Sequence, residues 1–62
     1  MERIKRVVIT WEDENWEYEL ELTGAEAEHF TESEAAAYAA QDAAENETTI
    51  KRLLDIDIET EE

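Results

Sequence analysis

From Trp16 to Leu22 the chain reads WEYELEL, with a large apolar residue at each even position and a glutamate at each odd one. Strand side chains point alternately to opposite faces, so this run suits a sheet with one buried face and one wet face. On a helix the same residues would be spread round the axis with no apolar stripe. The pattern returns in TIKRLLDIDIE, Thr49 to Glu59, where Leu54, Ile56 and Ile58 alternate with Asp55, Asp57 and Glu59. A third extended segment, RIKRVVITW from Arg3 to Trp11, is rich in β-branched residues and lacks glycine and proline. Strands are therefore expected over about 3–11, 16–22 and 49–59.

The intervening segment, about 24–47, reads as helical. TGAEAEHF, Thr23 to Phe30, holds the only glycine and suggests one short turn at Ala25 to His29. Thr31 to Glu34 has the form of a capping box, in which the threonine hydroxyl accepts from the Glu34 N–H and the Glu34 carboxylate reaches back, with Phe30 at the staple position. A helix is expected from about Glu32 to Glu45 through AAAYAAQDAA, whose alanines favour helix and let it approach a sheet closely. Breakage near Gln41 or Asp42 into two shorter helices is the alternative. Asn46 and the two threonines after Glu47 end the segment, and the terminal TEE is expected to fray.

The expected fold is α+β: a small three-stranded antiparallel sheet with short helices inserted between strands 2 and 3, all in one domain spanning 1–62. The polar break EDEN, Glu12 to Asn15, forms a hairpin turn that places Trp11 opposite Trp16, Ile9 opposite Tyr18 and Val7 opposite Leu20. The two tryptophans are then a cross-strand core pair. Charge sets the strand order. With strand 3 beside strand 2, Glu17, Glu19 and Glu21 would face Asp55, Asp57 and Glu59, and like charges directly opposite are destabilising. Strand 1 in the middle, order 2-1-3, separates the acidic rows with Arg6, Val8 and Thr10.

The chain carries 19 acidic against 5 basic side chains, a formal net charge of -14 in 62 residues. Such repulsion opposes compaction, and only the periodic placement of its 42% hydrophobic residues argues for a folded domain. A surface of this sign repels nucleic acid and anionic lipid and attracts basic proteins, more weakly as salt rises. There is no cysteine, which fits a reducing cytoplasm, no segment long enough to span a membrane, and no signal-peptide pattern.

The outward carboxylates Glu17, Glu19 and Glu21, with Asp55, Asp57 and Glu59, recur roughly every 6.7 Å along their strands. Together with Glu12, Asp13 and Glu14 at the hairpin, they come within about a factor of two of the linear charge density of a nucleic-acid strand. Charged edge strands also discourage aggregation, but a purely solubilising face would mix lysine with glutamate. These nine residues are the candidate partner-binding surface. No catalytic, cofactor-binding or metal-binding motif accompanies them: His29 and Ser33 lack a third partner for a triad, and three carboxylates along a strand spread over roughly 13 Å, too far to enclose a cation.

The rows WEYELEL and LLDIDIE, with the small size and acidity, resemble the DNA-mimic proteins of phages and mobile elements: restriction inhibitors, the uracil-glycosylase inhibitor and acidic anti-CRISPR proteins. The β-β-α-β order most resembles a type I-C anti-CRISPR protein. The resemblance implies a basic nucleic-acid-binding partner, a subunit of the type I-C Cascade surveillance complex, whose DNA or PAM site the protein would occupy in the bacterial cytoplasm. The charge on the edge of strand 3 argues for a monomer, and the acidic surface for no direct binding of nucleic acid or membrane. A halophilic protein, another acidic binding domain and a designed mini-protein are the alternatives; a halophile would scatter its carboxylates all round.

Overall fold

The three strands expected from alternation and β-branched content are realised in the computed structural model, which describes residues 3–61. The order of elements is β1 (Arg3–Glu12), β2 (Glu17–Thr23), α1 (Gly24–Glu28), a 3₁₀ turn (Glu32–Glu34), α2 (Ala35–Glu45) and β3 (Arg52–Glu61). The strands form one antiparallel sheet in the order β2-β1-β3. The continuous Val7-Val8-Ile9 run lies in the central strand, where all three residues are buried. This is the α+β architecture and strand order expected from the charge pattern. Thr60 and Glu61, expected to fray, pair with Ile4 and Arg3 instead; Glu62 lies outside the described residues.

The hairpin register differs by two residues from the expected one. Trp11 faces Tyr18, Ile9 faces Leu20 and Val7 faces Leu22. A shift of two preserves which face each side chain occupies, so the glutamates stay outside, but Trp16 leaves the sheet. The reason lies in the turn. Asp13 to Trp16 form a four-residue connection closed by the Asp13 N–H donating to the Trp16 carbonyl, 3.0 Å, and Trp16 thereby becomes a loop residue.

The inner face of the sheet supplies Val7, Ile9, Trp11 and Leu22 to a core completed by Ala27, Phe30, Ala35, Ala39 and Ala43. The last three recur every four residues and so share one face of α2. Their small side chains bring the helix close to the sheet, and bulk comes from Trp11, which is fully buried, stacked on Tyr18 with ring centroids 4.2 Å apart, and donates its indole N–H to Asp42 at 3.0 Å.

The β1·β3 ladder has two irregularities: between Ile4 and Arg6 the extra residue, Lys5, is in β1, and between Thr10 and Trp11 the extra residue, Leu54, is in β3 and changes which of its residues face inward. The second sets Leu53 opposite Trp11, and Leu53 and Ile56 pack against the core, where strict alternation would put Leu54 on the face of Ile56 and Ile58. Ile58 remains 37% exposed on the inner face.

The helical segment is more broken than one helix from 32 to 45. Glu32–Glu34 is 3₁₀, and the α-helix starts at Ala35 and runs unbroken to Glu45. The predicted capping box is also altered: the Glu34 N–H donates to the Thr31 backbone carbonyl, 2.9 Å, while the Thr31 hydroxyl donates to the Glu34 carboxylate, 2.8 Å. The two side chains satisfy each other and leave the helix end to the backbone. None of the helices is long and apolar enough to cross a membrane among the described residues.

An acidic outer sheet face and the hairpin loop

The outer face is built in tiers across the sheet, because residues paired across antiparallel strands share a face. At the hairpin end Glu17, Glu12 and Arg52 form one tier; next come Glu19, Thr10 and Asp55, then Glu21, Val8 and Asp57; Thr23, Arg6 and Glu59 form the last. Six carboxylates expected on this face, Glu17, Glu19, Glu21, Asp55, Asp57 and Glu59, are therefore all on it, in two rows flanking an uncharged centre of Val8 and Thr10. Two inter-strand steps separate the rows, about 9–10 Å.

The rows are not uniformly free. Arg6 bonds Glu21 through Nε and reaches Glu59 through Nη1 at 3.3 Å, so one guanidinium ties the two rows together at one end. The same carboxylates hold the Arg6 pKa above its usual value, Glu21 the more strongly. Glu12 pairs with Arg52 at 3.2 Å, and Arg3 lies between Glu28 at 3.4 Å and Glu61 at 3.5 Å. Among the described residues, no ion pair involves Glu17, Glu19, Asp55 or Asp57. Those four, with exposed Glu14, are the unneutralised acids of the sheet face and hairpin. Both pairings follow from the register of β3 on β1, which sets Arg6 opposite Glu59 and Arg52 opposite Glu12.

Asp13 does something other than face a partner. It is buried, and its carboxylate accepts four hydrogen bonds: from the Trp16 N–H (2.6 Å) and Asn15 N–H (2.7 Å) at Oδ1, and from the Tyr18 hydroxyl (2.9 Å) and Thr48 hydroxyl (2.9 Å) at Oδ2. It is the knot that shapes the hairpin loop and ties it to the segment after α2, and it is removed from the candidate binding surface. Its pKa falls from 3.8 to about 2, chiefly because the Trp16 N–H stabilises the anion, with Asn15, Thr48 and Tyr18 adding to this and burial opposing it. The same bond raises the Tyr18 phenol. An aspartate opening a turn, followed two residues later by asparagine, is a recognisable signal for such a side chain to backbone turn.

Trp16, expected in the core, is 70% exposed at the loop tip. The carboxylates of the helical layer are also outside: Glu26, Glu28, Glu32, Glu34, Glu45 and Glu47 are exposed. The exposed acids therefore lie on both layers and not on the sheet face alone. What is segregated is the positive charge, with all five cations in Arg3–Arg6 or Lys51–Arg52 and none from Val7 to Ile50. Among the described residues no group of three or more acidic or histidine side chains is gathered closely enough to hold a metal ion.

Comparison with known protein families, with curated proteins and with solved structures finds no match for this chain.

Proposed function

We propose that this chain is a non-catalytic DNA mimic that occupies the DNA- or PAM-binding surface of a CRISPR-Cas surveillance complex, engaging it through Glu17, Glu19, Asp55 and Asp57. The observation that carries the reading is four strand-borne carboxylates without an ion-pair partner among the described residues, Glu17 and Glu19 on one side and Asp55 and Asp57 on the other of the uncharged Val8 and Thr10 of β1. The separation of the two pairs, about 9–10 Å, lies between the widths of the minor and major grooves of a duplex, roughly 6 and 12 Å. A basic channel evolved for phosphate meets there rigidly spaced negative charges on strands rather than on mobile tails. The type I-C Cascade complex as target rests on the pattern resemblance of a small, acidic β-β-α-β chain.

The test is competition. The purified protein is added to type I-C Cascade with labelled target duplex, and DNA retention is read by gel shift. The protein should abolish retention, and Glu19→Lys combined with Asp55→Lys should restore it with an unchanged circular-dichroism spectrum. Undiminished DNA binding at excess protein removes the target assignment; equal inhibition by the charge-reversed variant removes the sheet face as the site.

The exposed helical carboxylates favour a second reading, a surface adapted to high salt. It requires unfolding at low ionic strength, whereas a mimic working in ordinary cytoplasm is folded there. Circular dichroism from millimolar to molar salt separates the two.

A further inference from the structure

We propose that Trp16 is an arginine anchor: its indole face, with Glu14 and Glu17 beside it in the chain, receives a guanidinium from the basic protein surface that the acidic rows attract. This deepens the preceding reading and rests on it.

The loop is built to hold this side chain out. Trp16 is pinned at both backbone polar groups, its N–H donating to Asp13 Oδ1 at 2.6 Å and its carbonyl accepting from the Asp13 N–H at 3.0 Å. Asp13 is itself fastened to Tyr18 and Thr48. The backbone at the tip is thus already ordered, and only two side-chain torsions remain to be fixed on binding, which is why rigidly presented tryptophan serves well as an anchor. With 70% of its surface exposed, the indole adds little to the core, which Trp11 fills.

The surroundings select the occupant. An exposed tryptophan can stack a nucleobase, but such platforms sit in basic grooves. Here residues 12 to 17 contain no cation; Asp13 is buried in the turn and Glu12 is paired with Arg52, which leaves Glu14 and Glu17 as the exposed charges beside the indole in the chain. A phosphate chain is repelled by that loop and a cation is drawn to it. Among cations, the planar and weakly hydrated guanidinium stacks on an aromatic face and grips a carboxylate with two parallel bonds, which an ammonium cannot do. Arginine, rather than lysine, is the chemistry that fits.

The probes are nona-arginine and nona-lysine peptides of equal charge, titrated at fixed salt into wild-type protein, Trp16→Ala, Trp16→Phe and Glu19→Lys/Asp55→Lys. Wild type should prefer the arginine peptide, and Trp16→Ala should reduce that preference by about two- to fivefold, the range of an exposed cation-π contact. Trp16→Phe should keep part of it. Thermal unfolding of Trp16→Ala should match wild type, and bound nona-arginine should shield the exposed tryptophan from acrylamide while buried Trp11 reports no change. An arginine preference equal in wild type and Trp16→Ala, or unaltered quenching, overturns the anchor while leaving the acidic face standing. Binding of neither peptide overturns both, as does binding of both peptides indifferent to Glu19→Lys/Asp55→Lys and to Trp16→Ala.

Discussion

Asp13 shows how one carboxylate can be diverted from surface charge to architecture. Because its pKa in the folded protein lies below the unfolded value, it contributes stability that is fully present above about pH 4 and is lost as pH falls toward 2. Tyr18 works in the opposite sense: its raised pKa gives stability present below pH 10 and lost as pH rises past it. Thermal unfolding followed between pH 4.5 and 2 should show a falling midpoint for wild type; Asp13→Asn should begin lower and change less over that window. Asp42 is a second such carboxylate, accepting the buried indole N–H of Trp11. Asp42→Ala leaves that N–H without a partner and should cost about 1–2 kcal/mol in urea unfolding.

The ends of the elements carry constraints of their own. α2 closes with the Thr48 N–H bonded to the Ala43 carbonyl and the Glu47 N–H to that of Ala44, which forces Glu47 into the left-handed region at φ 56°. Glycine occupies such a position without steric penalty, so Glu47→Gly should raise stability by about 1 kcal/mol in urea unfolding, while removing one negative charge. Gly24 is the converse, with φ +63° at the β2–α1 junction and no atom within 4 Å of where a Cβ would stand. Gly24→Ala should therefore lose about 1 kcal/mol from backbone strain alone. The glycine was visible in the sequence as a break. The left-handed glutamate was not, because no residue type at position 47 advertises it.

For the whole molecule the balance of charge sets the response to solution conditions. The Cα trace is elongated, 40 × 16 × 16 Å, and carries a formal charge of -14, so like charges repel along its length. Raising salt from 10 to 500 mM should screen that repulsion and raise the unfolding temperature by several degrees for a domain of this size. The same salt should weaken binding to a basic partner. Opposite signs for folding and binding in one titration are the signature expected of an acidic interaction surface.

Period-two alternation with glutamate or aspartate for two strands, and a β-branched run without glycine or proline for the third, were enough to establish three strands, their inner and outer faces and, through the repulsion of like charges, β1 in the centre. Those are local and pairwise properties, and the residues involved determine them wherever they pack. The hairpin register, the bulge that substitutes Leu53 for Leu54, the burial of Asp13 and the exposure of Trp16 were decided only by the assembled fold. They depend on how one turn closes, and a carboxylate collecting donors from residues 15, 16, 18 and 48 has no partner set until the chain has brought those residues together.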